Sequence, residues 1–167
     1  MKVTHSQLAI RSLALSLALA SPCRAHTAQH DSHAAEPQDE AFGRPGAAKD
    51  ITSTIAIQMT DAMRFSPGAL TIVQGQTVRW RISNNGKLPH ELVLGTQEEI
   101  DEHAEMMRKM PGMIHNDASS KSVAPGKSAD IIWKFSKSGK FPYACLVPGH
   151  LEASMTGTIT VTARVHK

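Results

Sequence analysis

Aromatic residues are scarce, at 4% of 167 residues. A protein that stacks bases on its surface needs rows of them. A dominant charge is also missing. Lys plus Arg number 18 and Asp plus Glu 15, and the surplus is Lys2, Arg11 and Arg24, in an N-terminal segment with no acid. The remainder is formally neutral, whereas nucleic-acid readers carry a basic patch on the folded domain. No nucleic-acid partner is expected. Long apolar runs are absent: the longest lies near the N-terminus and is far short of a membrane span, so no membrane-spanning helix is expected. Cysteine appears twice, as Cys23 and Cys145. The length leaves room for one domain and a tail, which argues against a large multidomain enzyme. Hydrophobic residues, at 41%, suffice for a modest core.

Lys2 and Arg11 precede a short apolar run, Ser12 to Ala20, and small residues follow. This is the layout of a secretory signal peptide over residues 1–25, and export to the periplasm is the expectation. The alternative is an N-terminal helix of the mature chain, for which the run is short and wrongly flanked. Cleavage after Ala20 and after Ala25 both fit. A lipoprotein cut before Cys23 would leave Pro22 ahead of the cysteine. Cleavage after Ala25 leaves Cys145 alone in an oxidising compartment, where disulfides are the rule. A lone thiol there is a buried inert group, an intermolecular bridge or a metal ligand. If Cys23 were kept, it could pair with Cys145 and remove the sulfur from metal chemistry.

Residues 26–50 are polar, without periodicity, and read as a flexible tail or a partly docked arm. The domain is expected over 51–167. Ile51–Met59 is rich in β-branched residues and reads as a strand. Phe65-Ser-Pro-Gly68 reads as a turn, and Ala69–Val73 as a second strand. Thr77–Ile82 alternates with period two, placing Val78, Trp80 and Ile82 on one face and Arg79 and Arg81 on the other. His90–Leu94 is a short strand. Thr96-Gln-Glu-Glu99 has the form of a capping box, Arg108 and Lys109 close the following run, and Pro111-Gly112 stops it. One helix is therefore expected around 97–110. Strands resume at Ser122–Val123, Ala129–Phe135, Lys140–Cys145 and Thr156–Ala163. Short strands with regular turns predict an all-β fold, a Greek-key β-sandwich with one inserted helix.

Cys145, His150 and Met155 lie on one short stretch between two predicted strands, and His90 opens another. A thiolate, two imidazoles and a thioether suit copper among biological metals. Zinc sites more often add a second Cys or a third His. Each residue also has a plain reading: Cys145 as a core thiol, His90 as a strand-end histidine, Met155 as packing. Their coincidence with a lone exported cysteine favours the metal.

The Cys–Pro–Gly–His–Met loop resembles the ligand loop of the cupredoxins, the azurin- and plastocyanin-like type 1 copper proteins. It has one more residue between His and Met than azurin. The segment from Phe42 to Val161 is similar to a bacterial cupredoxin subgroup linked to copper tolerance. Leu88–Gly95, Met107–Met113 and Ala144–His150 carry that likeness. The resemblance implies His90, Cys145 and His150 as equatorial copper ligands, Met155 as the axial one, and a Cu(II)/Cu(I) couple. Glu91 departs from it: many cupredoxins have Asn or Ser there, which hydrogen-bonds near the thiolate.

Two weaker clusters carry metal-type donors. On the helix, Ile100, His103, Met107 and Met110 share a face, and Met113 and His115 follow the stop. Such a stripe is usually core packing, yet it also resembles methionine-rich copper(I) sites. The tail carries His26, His30 and His33, and His-rich tracts often bind metals. The leading expectation is a periplasmic electron-transfer protein, with a role in copper tolerance implied by the resemblance, and with a transient redox or copper-handling partner meeting a patch of Leu146, Val147, Pro148 and Leu151. A core role for those leucines is an equal alternative. The competing function is a copper buffer or chaperone without redox cycling. An enzyme with Cys145 as nucleophile is not expected, since no acidic orienting residue is apparent. A monomer is expected.

Overall fold

The computed structural model describes residues 41–110 and 116–165. Within them, ten strands form, most of them on runs that contain β-branched or aromatic residues. They are β1 (Gly43–Pro45), β2 (Ser53–Thr60), β3 (Arg64–Ser66), β4 (Ala69–Val73) and β5 (Thr77–Asn84). The rest are β6 (His90–Leu94), β7 (Ser120–Val123), β8 (Ser128–Phe135), β9 (Gly139–Ala144) and β10 (Thr156–Thr162). One α-helix, α1 (Gln97–Lys109), separates β6 from β7. No helix among the described residues is long and apolar enough to cross a membrane.

Two five-stranded sheets result, ordered β1-β8-β5-β2-β3 and β4-β10-β9-β6-β7. The pairs β2–β5 and β4–β10 are parallel. Parallel neighbours need a crossover rather than a hairpin. Between β2 and β5 the chain crosses to the second sheet to lay down β4, which stitches the two layers together.

Period-two alternation sets the core. Val78, Trp80 and Ile82 are fully buried. Arg79 and Arg81 point the other way and share Asp130, at 3.5 and 3.6 Å. Every Phe, Trp and Tyr of the chain lies in or against this core, so a sparse aromatic content is spent in one place.

The sandwich begins before Ile51, the expected boundary. Phe42 is buried and stacks on Trp133 with ring centroids 4.9 Å apart, and β1 pairs with β8. A Cβ on Gly43 would lie 2.2 Å from the Lys134 carbonyl oxygen, so only glycine allows this approach. A three-residue strand containing Gly and Pro has no period to read, which is why the segment resembles tail in the sequence. Residues 1–40, including the proposed signal peptide, lie outside the described residues. Likewise, the expected turn at Phe65 begins as β3, with Phe65 opposite Met59 of β2.

The helix forms where its capping box predicts. The Glu99 N–H donates to Thr96 Oγ1 at 3.2 Å, and the Thr96 N–H to Glu99 Oε2 at 2.6 Å. Glu98 and Glu99 at its start and Arg108 and Lys109 at its end suit the helix dipole. Ile100, Ala104 and Met107 are its buried residues and pack with Val93, Ala144 and Leu146. Side chains alternate across a strand, so Leu92, Leu94 and Tyr143 enter the main core while Val93 and Ala144 lie under α1. Strands β6 and β9 are thus covered on both faces, at the end where His90 and Cys145 emerge.

Candidate metal centre

Strand direction brings distant residues to one place. His90 opens β6, Cys145 directly follows β9, and Met155 directly precedes β10. Strand β9 runs antiparallel to both β6 and β10. The start of β6, the end of β9 and the start of β10 therefore share one end of the second sheet. The loop between β9 and β10 closes on its own backbone. The His150 N–H donates to the Val147 carbonyl at 2.9 Å, Met155 to His150 at 3.0 Å, and Cys145 to Met155 at 3.0 Å. Gly149 holds the turn before His150 at φ +86°, a left-handed conformation that favours glycine.

Cys145 Sγ lies 3.3 Å from His150 Nδ1 and 4.0 Å from His90 Nδ1. One ligand atom from each of the three lies within 4.8 Å of the others. The two imidazole centroids are 4.9 Å apart. His90 and Cys145 are fully buried and His150 is 8% exposed. Met155 is also fully buried, in the same core cluster as Cys145. Cys145 is a free thiol. Among the described residues, this is the group of His, Cys, Asp or Glu placed to hold a metal ion. Soft sulfur and two imidazoles converging in a dry site fit copper.

Burial pushes the Cys145 thiol up to about 11, while the amides of Glu91 and Val147 pull against it. The Glu91 N–H donates to Sγ at 3.3 Å. A backbone amide therefore reaches the sulfur whatever side chain stands at 91. The Glu91 carboxyl itself is buried and pushed up to about 7 by desolvation, against a hydrogen bond from Ser122. Burial also lowers the His150 imidazole, assisted by His90.

Behind His90 stands a residue that the sequence reading missed. Asp61 Oδ1 lies 3.2 Å from His90 Nε2. Asp61 also accepts the Lys87 N–H at 2.8 Å and the Leu88 N–H at 3.1 Å. These amides, the larger causes, and His90 hold its carboxyl below the usual carboxylate range. It comes from the β2–β3 turn, 29 residues upstream, and nothing local to His90 announces it.

The weaker candidates fare differently. Met107 is buried in the helix–sheet packing. His103 and Met106 line a surface hollow with Glu99 and Glu102, and Met110 is exposed. His26, His30, His33, Met113 and His115 lie outside the described residues.

The model of the family described as copper binding proteins, plastocyanin/azurin family, matches residues 51–162. The chain belongs to that family. Its cofactor is accordingly copper, and the three converging donors are of the type copper takes. The chain is similar to the copper-resistant cuproprotein CopI of Rubrivivax gelatinosus, 43% identical over 81% of this chain and 82% of that one. The protein of the same name in Pseudomonas aeruginosa is 34% identical over 73% of this chain and 83% of its own length. Among solved structures, auracyanin from Roseiflexus castenholzii superposes with a TM-score of 0.58 at 22% identity, covering 67% of this chain and 98% of its own. Auracyanin B gives a TM-score of 0.60 at 19% identity, over 72% and 96%. These show the same fold.

Proposed function

We propose that this family member is a periplasmic electron carrier with a type 1 copper centre, serving copper tolerance. The observation that carries the reading is the convergence of one buried thiol and two buried imidazoles, Nδ1 atoms inward, at the end of a rigid sandwich. His90, Cys145 and His150 would hold the metal, with Met155 as fourth ligand. Bound copper supplies a one-electron Cu(II)/Cu(I) couple. The chain's part is to keep the ligands still. Backbone bonds close the loop from Cys145 to Met155, and α1 packs over Ala144 and Leu146 on either side of Cys145. A cage held from both sides needs little rearrangement between oxidation states.

Cys145 has to give up its proton on metal uptake, and the Glu91 amide steadies the resulting thiolate. Leu146 is buried and partly buried Leu151 packs against the same cluster under α1, so both leucines are engaged by the helix–sheet packing. His150, beside exposed Pro148 and Gly149, is the most exposed of the three donors and is the exit we assign to the electron. The name shared by the CopI relatives supports a role in copper tolerance.

An enzymatic reading gains one point from the structure, since Asp61 orients His90 much as an acid orients the base of a nucleophilic cysteine. The thiol opposes it. Reactive cysteines are accessible and have lowered pKa values, whereas Cys145 is fully buried and pushed up to about 11. The test of the proposal is an absorption and EPR spectrum with one equivalent of Cu(II), followed by voltammetry. Expected are an intense sulfur-to-copper band and fast reversible one-electron waves. Ready surrender of copper to a chelator without such waves would instead make the protein a copper buffer or chaperone.

A further inference from the structure

A neutral imidazole carries one N–H and one lone pair. A metal needs the lone pair, so the other nitrogen decides whether the ring is ready. In His90 that other nitrogen is Nε2, which faces the Asp61 carboxylate at 3.2 Å. An ionised carboxylate only accepts, so Nε2 keeps the proton and Nδ1 presents its lone pair toward Cys145.

Asp61 is itself held. The Lys87 and Leu88 amides donate to its two oxygens, at 2.8 and 3.1 Å. The turn below is cut to fit it. A Cβ on Gly86 would fall 2.0 Å from Asp61 Oδ1 and 2.8 Å from its Cγ. Glycine at 86 therefore leaves the space that the carboxylate fills. Buried Asn84 fastens the same turn: its Nδ2 donates to the carbonyls of Leu88 at 2.8 Å and Val123 at 2.9 Å, and its Oδ1 accepts the Gly86 N–H at 2.9 Å. Three segments, 61, 84–88 and 123, thus set one ring.

We infer that Asp61 is a positioning residue of the metal centre, which locks the His90 ring with Nδ1 free for the metal and biases the centre toward the oxidised state. The inference rests on the copper reading above. A carboxylate behind a ligating histidine raises its basicity, and loss of such partners typically costs about 10–100-fold in metal affinity or activity. A more basic donor favours the dication over the monocation, so Asp61 holds Cu(II) more than Cu(I).

The experiment compares the wild type with Asp61→Ala and Asp61→Asn. Nitrogen NMR of the metal-free proteins reads the His90 tautomer, and voltammetry of the copper forms reads the potential. In the wild type, His90 is expected as the Nε2–H form. Asp61→Ala is expected to mix the tautomers and to cut the preference for Cu(II) by about tenfold, which is about 59 mV upward for one electron. Asp61→Asn keeps an acceptor but loses the charge, and is expected to move the potential in the same direction with less effect on the tautomer. If Asp61→Ala does not fold, the near-isosteric Asp61→Asn decides by potential alone. A potential unchanged in every folded variant would overturn the inference and reduce Asp61 to a fastener of the Lys87–Leu88 backbone. A wild type without the sulfur-to-copper band would instead refute the copper reading, leaving the metal-free tautomer as the remaining test of the lock.

Discussion

Two stretches of this chain carry sulfur and imidazole donors, and the fold treats them in opposite ways. In the loop from Cys145 to Met155, donors at strand ends are drawn toward His90, 55 residues upstream of Cys145. On α1, donors of the same kinds are dispersed. Met107 turns in against Val93 and Leu146, Met106 and His103 line a surface hollow, and Met110 is exposed. The same residue types converge on one point in one setting and are scattered between interior and surface in the other. The deciding factor is convergence: antiparallel strands bring their ends together, whereas one straight helix spreads its residues along about 1.5 Å per residue.

The largest effect that would break this contrast lies at Cys145. Cys145→Ser is expected to abolish the sulfur-to-copper absorption completely; a surviving band would move the metal elsewhere. Met107→Ala should do the reverse. It is expected to cost about 2–5 kcal/mol of stability in urea denaturation, as for other buried methionines cut to alanine, and to leave the absorption spectrum in place. A changed spectrum would place the helix methionine in the metal chemistry. The smallest effect is expected at Met110, exposed at the end of α1. Met110→Ser should change stability by less than about 0.5 kcal/mol and leave the bound copper(I) equivalents unchanged. A lost equivalent would make the helix a second site.

Much of the fold was readable because its signals are local. Alternation in Thr77–Ile82 and the capping box at Thr96 needed no knowledge of distant residues, and both appear as expected. The helix face is less legible. Period groups Ile100, His103, Met107 and Met110, but the buried set is Ile100, Ala104 and Met107. Ala104 takes the place expected of His103 against Val93, Ala144 and Leu146, and Met110 is left exposed. The enclosure of Phe42 by Trp133 was invisible, since β1 is defined by its partner strand and not by its own pattern. Glu91 departs from the cupredoxin pattern near the sulfur, yet the contact there is made by its backbone amide, which residue type does not report.

The residue types available for metal binding, their order along the chain and the strands that carry them were determined by the sequence alone. These are matters of chemistry and short-range periodicity. Tertiary structure decided which donors meet, which methionine is filler, and that a carboxylate from another turn stands behind His90. Those choices depend on strand direction and on the space left by Gly86, and neither has a signature in the residues that surround the converging donors.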